Sequence, residues 1–441
     1  MEVEQRNELA PLGLPTQIGY GIGQIAGQIF RDVPSLLLLF FMTTVLGVAP
    51  AIAGTAIFVP KLIFGVGCDM AVGVFSDRWK RRIARRWWLL AGAVGAPLAM
   101  VLLFHVPEGS TTLRVAYVAG MFSLYMAVFA SFSVPYLAIA GEMTDNPQSR
   151  TLLMAWRLVF TSVGVLTASA VAPAIVQAQG GGQAGYEAMA LVLAAICPVA
   201  LLIAFFTIGR IAPETEQREQ AAPLSFGQAV SVLAHPRFSV LCGVNIMQLA
   251  GMGMGYASLL YFLSYNMART DALQVIGGII VAACAGIILA QPLWVAVAKR
   301  IGKRRGYIAG SVIYSLSYII WAFSADAGIG FAYFLSFVAA LGNSGWTMLG
   351  FSMVADVAGE DGAHSGLYSA AWVASDKIGF ALGGTLLVGL ILSAFGFDAG
   401  RAVQGLPQSD LALTGVMFAF GFVPALLNLT GAAILAKWGR D

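Results

Sequence analysis

One carboxylate stands inside an apolar stretch of this sequence that ends abruptly in basic residues. Asp69 lies in FGVGCDMAVGVFSDRWKRR, residues 64–82. In a membrane-spanning helix an ionised carboxylate costs about 3 kcal/mol even on a lenient insertion scale, so a cation, a proton or a basic side chain must offset that cost. The stretch therefore indicates either a structural ion pair or a group that binds a coupling ion or a proton.

Further ionisable residues lie within other apolar stretches. They are Arg31, Asp32, Lys61, Arg157 and Lys377. Ionisable groups inside membrane-spanning segments usually mark substrate or ion pathways. Lys377 could form a structural pair with Asp69 or could serve with it as a coupling switch. Arg157 could bind substrate, act in gating, or extend its side chain to the membrane surface.

Uncharged polar residues could complete a central cavity. Gln24 and Gln28 share one helix face because they are four residues apart, and Asn245 and Gln248 share another because they are three apart. Tyr125 is a further candidate. We expect the first two glutamines and the tyrosine to contact substrate, although such residues equally often hold neighbouring helices together.

The composition is that of an integral membrane protein. The 441 residues are 59% hydrophobic and 11% charged, with a mean hydropathy of +0.80. Twelve apolar runs are long enough to span a bilayer. They lie near 17–46, 51–76, 87–106, 115–140, 151–177, 186–209, 238–265, 272–298, 306–325, 328–356, 364–396 and 410–436. The sequence therefore predicts an all-α membrane protein with twelve transmembrane helices in two six-helix bundles.

Two basic clusters reveal a weak internal repeat. DRWKRRIARR follows the second apolar run and KRIGKRR follows the eighth. Matching loops in two sets of six helices are typical of transporters built from duplicated bundles. The predicted organisation is a cytoplasmic N-terminus (1–16), an N-terminal bundle (17–209), a cytoplasmic central loop (210–237), a C-terminal bundle (238–437) and a C-terminus (438–441).

The distribution of positive charge predicts the orientation. With both termini in the cytoplasm, only three of the 25 lysines and arginines lie in outer loops, namely Arg114, Arg269 and Arg401. Cytoplasmic loops normally carry the excess of lysine and arginine. We therefore expect a multi-pass protein of the cell inner membrane with both termini cytoplasmic.

Several function classes are not indicated by the sequence. It contains no nucleophile elbow, phosphate-binding loop or zinc motif, so we expect neither an enzyme nor an ATP-driven pump. We expect no cofactor and no resident metal, and the coupling ion would be H⁺ or Na⁺. The net charge of +3 does not indicate nucleic-acid binding. The expected partners are a small-molecule substrate and the lipid bilayer, with the protein acting as a monomer.

The loop after the second helix carries a recognisable motif. GVFSDRWKRR resembles the G-x-x-x-D-R-x-G-R-R loop of the major facilitator superfamily, with Lys80 in place of the second glycine. The resemblance implies a gating loop that locks the two bundles together on the cytoplasmic side. Its matching residues are Gly73, Asp77, Arg78, Arg81 and Arg82.

A finer resemblance is to the glycoside–pentoside–hexuronide:cation symporters, the melibiose permease family. It rests on YGIGQIAGQIF, CDMAVGVFSDRWKRR, SVPYLAIAGEMT, AWRLVF and MVADVAGEDGAHSGLYSAAWVASDKIGFALGG. Through these segments the family's helix-two acid corresponds to Asp69, its helix-five arginine to Arg157 and its buried lysine to Lys377. The resemblance implies that these three residues belong to the ion site and the substrate site.

The chain departs from that family at several acidic positions. A second helix-two acid falls on Gly65, the helix-one acid on Gln28 and the helix-four acid on Ser133. Asp32 lies one turn beyond Gln28, so it could replace the helix-one acid or could simply be neutralised by Arg31. The expected coupling-ion site is Asp69, Lys377 and Ser133, with sodium at Asp69 as an alternative to a proton. The expected substrate site is Gln24, Gln28, Asp32, Tyr125, Arg157 and Lys377.

The resemblance implies a cation-coupled secondary transporter of a small glycoside-like solute that works by alternating access. A single carboxylate opposite a lysine favours a proton over sodium as the coupling ion. Because the sugar-binding acids are replaced, an amphiphile such as a lysophospholipid is an alternative cargo. A non-transporting assembly factor for membrane complexes is an alternative of a different class.

Overall fold

Twelve long helices make up the described part of the protein. The computed structural model describes residues 12–79, 83–144, 146–208, 232–361 and 365–438, and these ranges contain no β-strand. The helices that are long and apolar enough to span a membrane are α1 (Leu14–Thr44), α2 (Pro50–Ser76), α3 (Arg86–Phe104), α4 (Thr111–Ala140), α5 (Gln148–Ala178), α6 (Gln183–Ile208), α7 (Pro236–Asn266), α8 (Ala272–Ile301), α9 (Lys303–Phe323), α10 (Ile329–Glu360), α11 (Leu367–Ala394) and α12 (Asp410–Lys437). The predicted all-α class with twelve spans is confirmed.

Local signals fix the helix ends. The Ser110 hydroxyl accepts a hydrogen bond from the Leu113 amide at the start of α4, and Asn146 caps α5 in the same way. Gly302, with φ of 85°, allows the sharp turn between α8 and α9, since that left-handed conformation favours glycine. Each predicted helix end lies within four residues of the observed one.

Helix α1 contains a π-helical turn at Pro34–Leu38. Proline has no backbone N–H, so Pro34 cannot donate the usual hydrogen bond to the Phe30 carbonyl one turn earlier. The Tyr125 hydroxyl of α4 donates to that carbonyl instead, at 3.1 Å. The irregular turn begins two residues after Asp32, so the helix is locally reshaped next to its charged residues.

The packing of the first six helices recurs in the second six. Helix α1 packs on α5 and α6, α2 on α4, and α3 on α4 and α6. Six helices later, α7 packs on α11 and α12, α8 on α10, and α9 on α10 and α12. The two halves therefore share one packing pattern, as expected of duplicated bundles.

The boundaries predicted for these bundles stay a proposal. Helix α6 ends at Ile208 and α7 begins at Pro236, after a short 3₁₀ turn at Val232–Ala234. Residues 209–231, most of the predicted central loop, lie outside the described residues, as do 1–11 and 439–441.

Among the described residues, the two halves meet along three pairs of spanning helices, α1 with α7, α2 with α11 and α5 with α8, and the short helix Ala399–Val403 also packs on α1. The contact of α2 with α11 is made by glycines. A Cβ atom on Gly54 would lie 2.5 Å from the carbonyl oxygen of Thr385, and Gly389 approaches the backbone of Pro50 just as closely. Only residues without a side chain permit this approach at the end of the molecule remote from the chain termini.

Candidate functional site

An ion pair joins the two halves at Asp69 and Lys377. The Lys377 ammonium donates a hydrogen bond to Asp69 Oδ2, which links α2 to α11. The Asp69 side chain is 19% exposed and that of Lys377 is 44% exposed, although both lie well inside their helices. The pair is thus accessible from the space between the halves.

The Asp69–Lys377 pair lies closer to the chain termini than the other described polar contacts between the halves. Tyr261 donates to the Leu39 carbonyl at 3.0 Å, and the hydroxyl groups of Ser169 and Tyr256 lie 3.0 Å apart. These contacts lie in the helix portions remote from the termini. Among the hydrogen bonds between the halves whose partners are both described, the Asp69–Lys377 bond lies nearest the end of the molecule that carries the chain termini.

Asp32 is held by its own helix. Its Oδ1 accepts from Arg31 Nε at 3.0 Å and its Oδ2 accepts from Gln28 Nε2 at 2.6 Å. The Asp32 side chain is only 10% exposed, whereas that of Arg31 is 64% exposed in the middle of α1. The sequence left open whether Asp32 replaces the helix-one acid or is neutralised by Arg31, and the structure contains the Arg31–Asp32 ion pair. Arg31 is the exposed residue of this pair.

Two other predicted site residues lie together. Arg157 Nε of α5 donates to Gln24 Oε1 of α1 at 2.9 Å, and both side chains are half-buried. The terminal nitrogens of Arg157 have no partner among the described residues. This pair lies within the first half, and it leaves one cationic group available to a ligand.

The structure does not bring Tyr125 or Ser133 to this site. Tyr125 is fully buried between α4 and α1, stacked on Phe30 at 4.3 Å between ring centroids. Ser133 is half-buried on α4 and makes no hydrogen bond to Asp69 or Lys377. The Tyr125 hydroxyl instead donates a hydrogen bond at the irregular turn of α1. The sequence did not reveal this role.

We expect Tyr125→Phe to lower stability without changing substrate affinity. The substitution leaves the buried Phe30 carbonyl unsatisfied, which costs about 1–3 kcal/mol. Thermal unfolding of the purified protein measures the first effect, and ligand titration measures the second. A loss of affinity at unchanged stability would return Tyr125 to the substrate site.

Asp376 is adjacent in sequence to Lys377, but its side chain binds Asn245 of α7. Its Oδ1 accepts from Asn245 Nδ2 of α7 at 2.5 Å, and the same amide group donates to Ser375 Oγ at 2.9 Å. Asp376 makes no ion pair within the described part of the chain. It is therefore not the counter-ion of Lys377, and it adds a second carboxylate to the inner surface of α11.

The predicted gating loop is described only in part. Gly73 lies on α2, where a Cβ would be 3.9 Å from Val134 of α4, and the helix that contains α2 continues through Asp77 and Arg78 to Trp79. Arg81 and Arg82 lie outside the described residues. The gating role stays a prediction from the motif.

Comparison with known proteins identifies the family. The family model described as "MFS/sugar transport protein" matches residues 19–438. The chain belongs to this family. It is accordingly a transporter and not an enzyme, and it is a multi-pass protein of the inner membrane.

Several bacterial proteins are similar to this transporter over most of their length. It is 27% identical to the putative glycoside/cation symporter YagG of Escherichia coli (strain K12), over 95% of this chain and 90% of that protein. It is 28% identical to the isoprimeverose transporter of Lactiplantibacillus pentosus, over 95% and 87%. It is 23% identical to the inner membrane symporter YicJ of E. coli, over 97% and 92%.

Solved structures show the same fold. The crystal structure of the nucleoside transporter NupG superposes with a TM-score of 0.69 at 15% identity, covering 98% of this chain and all of that one. At this identity the likeness shows the fold alone. It confirms the major facilitator architecture that the sequence predicted.

Proposed function

We propose that this transporter carries a sugar-like solute together with a cation, and that the cation is a proton. The observation that carries the proposal is the Asp69–Lys377 ion pair, because it joins the two halves and is reached from the space between them. The similar proteins named as a glycoside/cation symporter and as an isoprimeverose transporter support the solute class and the coupling.

The surroundings of Asp69 favour a proton over sodium. Hard metal cations are held by several oxygen ligands at once. Asp69 is a single carboxylate whose partner is the Lys377 ammonium, and Ser133 makes no hydrogen bond to it. A proton needs only one carboxylate, so protonation of Asp69 would release Lys377 and loosen the link between α2 and α11.

Alternating access follows from how the halves meet. Among the described residues, the other hydrogen bonds between the halves lie at the end remote from the termini, and Asp69–Lys377 is the link nearest the opposite end. With the termini in the cytoplasm, this arrangement is the inward-facing state. A ligand or proton that changes the relative stability of the two states shifts the population between them.

The test is thermal unfolding of the purified transporter with glycosides, organic acids and lysolipids, each with and without sodium and at several pH values. A ligand that binds only the folded state raises the melting temperature by mass action. We expect stabilisation by a glycoside or a sugar acid that depends on pH and not on sodium.

Two results would contradict the proposal. Stabilisation by lysolipids alone would favour the amphiphile as cargo, and a sodium effect that disappears in Asp69→Asn would replace the proton by sodium. The family and the similar proteins do not favour the lysophospholipid cargo or the assembly factor.

A further inference from the structure

An apolar cleft of about 660 Å³ lies between α2 and α4, in the portions of these helices remote from the chain termini. Its walls include Ile52, Thr55 and Val59 of α2 and Val115, Ala119 and Ser123 of α4. The hydroxyl groups of Thr55 and Ser123 both donate to carbonyls of their own helices at 2.8 Å. The walls of the cleft therefore suit an apolar ligand and offer little to a sugar.

The cleft lies on the membrane side of α2. Gly54 and Lys61 of this helix both contact α11, where the two halves meet. Ile52 and Val59 each precede one of these residues by two positions, which places them about 200° away around the helix. They are 51% and 43% exposed. The cleft is therefore separate from the space between the halves, and its occupant is not the transported solute.

The dimensions of the cleft match one lipid acyl chain. Its α2 wall runs from Ala51 to Phe64, which is about 20 Å of helix. The hydrocarbon core of a bilayer is about 30 Å thick, so the cleft extends through the depth of one leaflet. At about 30 Å³ for each water-sized group, its volume holds roughly twenty such groups. With the termini in the cytoplasm, this leaflet is the outer one.

Side chains of the protein leave part of this space unfilled. A Cβ atom on Gly120, which lines the cleft on α4, would meet nothing within 4 Å. An unfilled space costs its walls their dispersion contacts, and acyl chains are the material that surrounds the cleft at this depth. An acyl chain gains no hydrophobic free energy by leaving other acyl chains, so retention of one lipid also requires a contact with its headgroup.

Arg114 provides a cation for that headgroup. It directly precedes Val115 of the cleft wall, and its Nη1 donates to the Leu46 carbonyl at 3.2 Å, just before α2 begins. No carboxylate in the described part of the chain lies within ion-pair distance of Arg114. A guanidinium forms charge-assisted hydrogen bonds with phosphate oxygens, and basic residues at helix ends hold anionic lipid headgroups in this way.

We propose that this cleft binds one anionic phospholipid of the bilayer, with an acyl chain between α2 and α4 and its phosphate on Arg114. The lipid is a bound component of the transporter and not its cargo. It joins α4 to α2 and to the loop before α2, so its binding stabilises the folded protein. The proposal does not depend on which solute or which cation is transported.

The test is native mass spectrometry of the purified transporter with added lipids, together with its melting temperature. The probes are dioleoyl phosphatidylglycerol, dioleoyl phosphatidylethanolamine, and glycerol 3-phosphate as a headgroup without chains. We expect one phosphatidylglycerol to be retained and to raise the melting temperature, because a ligand of the folded state stabilises it by mass action. Phosphatidylethanolamine should bind more weakly, and glycerol 3-phosphate should have no effect.

Variants then assign the binding to the cleft and to its cation. Gly120→Leu fills the cleft without a clash and should weaken phosphatidylglycerol binding about tenfold or more, whereas Gly330→Leu adds the same side chain in open space on α10 and should not. Thr55→Leu narrows the cleft from the opposite wall and repeats the test if Gly120→Leu is unstable. Arg114→Gln should reduce phosphatidylglycerol binding to the level of phosphatidylethanolamine, and Arg401→Gln should leave it unchanged.

Three results would overturn the lipid site. They are equal binding of phosphatidylglycerol and phosphatidylethanolamine to the unaltered protein, undiminished binding in both Gly120→Leu and Thr55→Leu, and undiminished binding in Arg114→Gln. Stabilisation by glycerol 3-phosphate as large as that by the lipid would likewise contradict a role for the cleft, because that probe has no chain to place in it. None of these outcomes bears on the transported solute, which the uptake and unfolding experiments with sugars test separately.

Discussion

Asp69→Asn is expected to abolish gradient-driven accumulation of substrate while leaving the protein folded. Asparagine has nearly the same shape as aspartate but cannot take up a proton or hold the Lys377 ammonium as an ion pair. Lys377 is 44% exposed to the space between the halves, so water can solvate it after the loss of its partner. The expected fall in accumulation is at least about tenfold, because coupling requires a group that changes its protonation state.

The measurement is uptake into proteoliposomes with an imposed proton gradient, together with exchange of substrate at equal concentrations on both sides. We expect the variant to lose the first activity and to keep the second, since exchange needs no net proton movement. Accumulation at the unaltered level in Asp69→Asn would show that coupling takes place elsewhere.

A variant of Lys377 distinguishes a coupling switch from a simple structural ion pair. Lys377→Gln removes the partner of Asp69 and keeps the carboxylate that takes up the proton. If the pair acts as a switch, this variant shifts the pH dependence of transport, and the double variant Asp69→Asn with Lys377→Gln is no worse than Asp69→Asn alone. Strictly additive losses in the double variant would contradict coupling through the pair.

Gly54→Val is expected to prevent the two halves from closing at the end remote from the termini. A Cβ there would lie 2.5 Å from the backbone oxygen of Thr385, which cannot move aside as a flexible side chain could. Such overpacking costs about 1–3 kcal/mol, which reduces the population of the closed arrangement by roughly fivefold to 160-fold. Transport should fall with it, because a transporter that cannot visit one state cannot complete the cycle.

The same helix supplies a matched control. A Cβ on Gly67 of α2 would meet nothing within 4 Å, so Gly67→Val adds the same side chain without a clash. Spin labels on cysteines introduced at Glu108 and Gln404, with the four native cysteines replaced by alanine, report the distance between the halves at this end. We expect a longer distance in Gly54→Val only. An unchanged distance and normal transport would show that this glycine contact does not control access.

The helices themselves follow from local sequence. A continuous run of about twenty apolar residues crosses a bilayer as a helix, because a helix satisfies the backbone hydrogen bonds within the segment itself. For this reason the twelve spans could be predicted to within a few residues. The motif after the second helix and the segments around Asp69, Arg157 and Lys377 were likewise enough to indicate the family that the full-chain match confirms.

The site could be predicted only in part. The sequence placed Asp69 and Lys377 in facing helices, and the structure brings them together across 308 positions. The sequence also predicted Tyr125 as a substrate residue, because sequence alone does not distinguish a tyrosine that lines a cavity from one that packs between helices. The signal that could have corrected this is Pro34, whose missing N–H leaves a carbonyl of α1 in need of a donor.

What the sequence determined is which segments span the membrane and which of them carry charge, since both follow from residues that are neighbours along the chain. What the tertiary structure decided is which charges meet. Asp376 and Lys377 are adjacent in sequence, yet one binds α7 and the other binds α2. Successive residues of a helix point about 100° apart, so their partners depend on how each helix is rotated against its neighbours, and that rotation is set by packing over the whole fold.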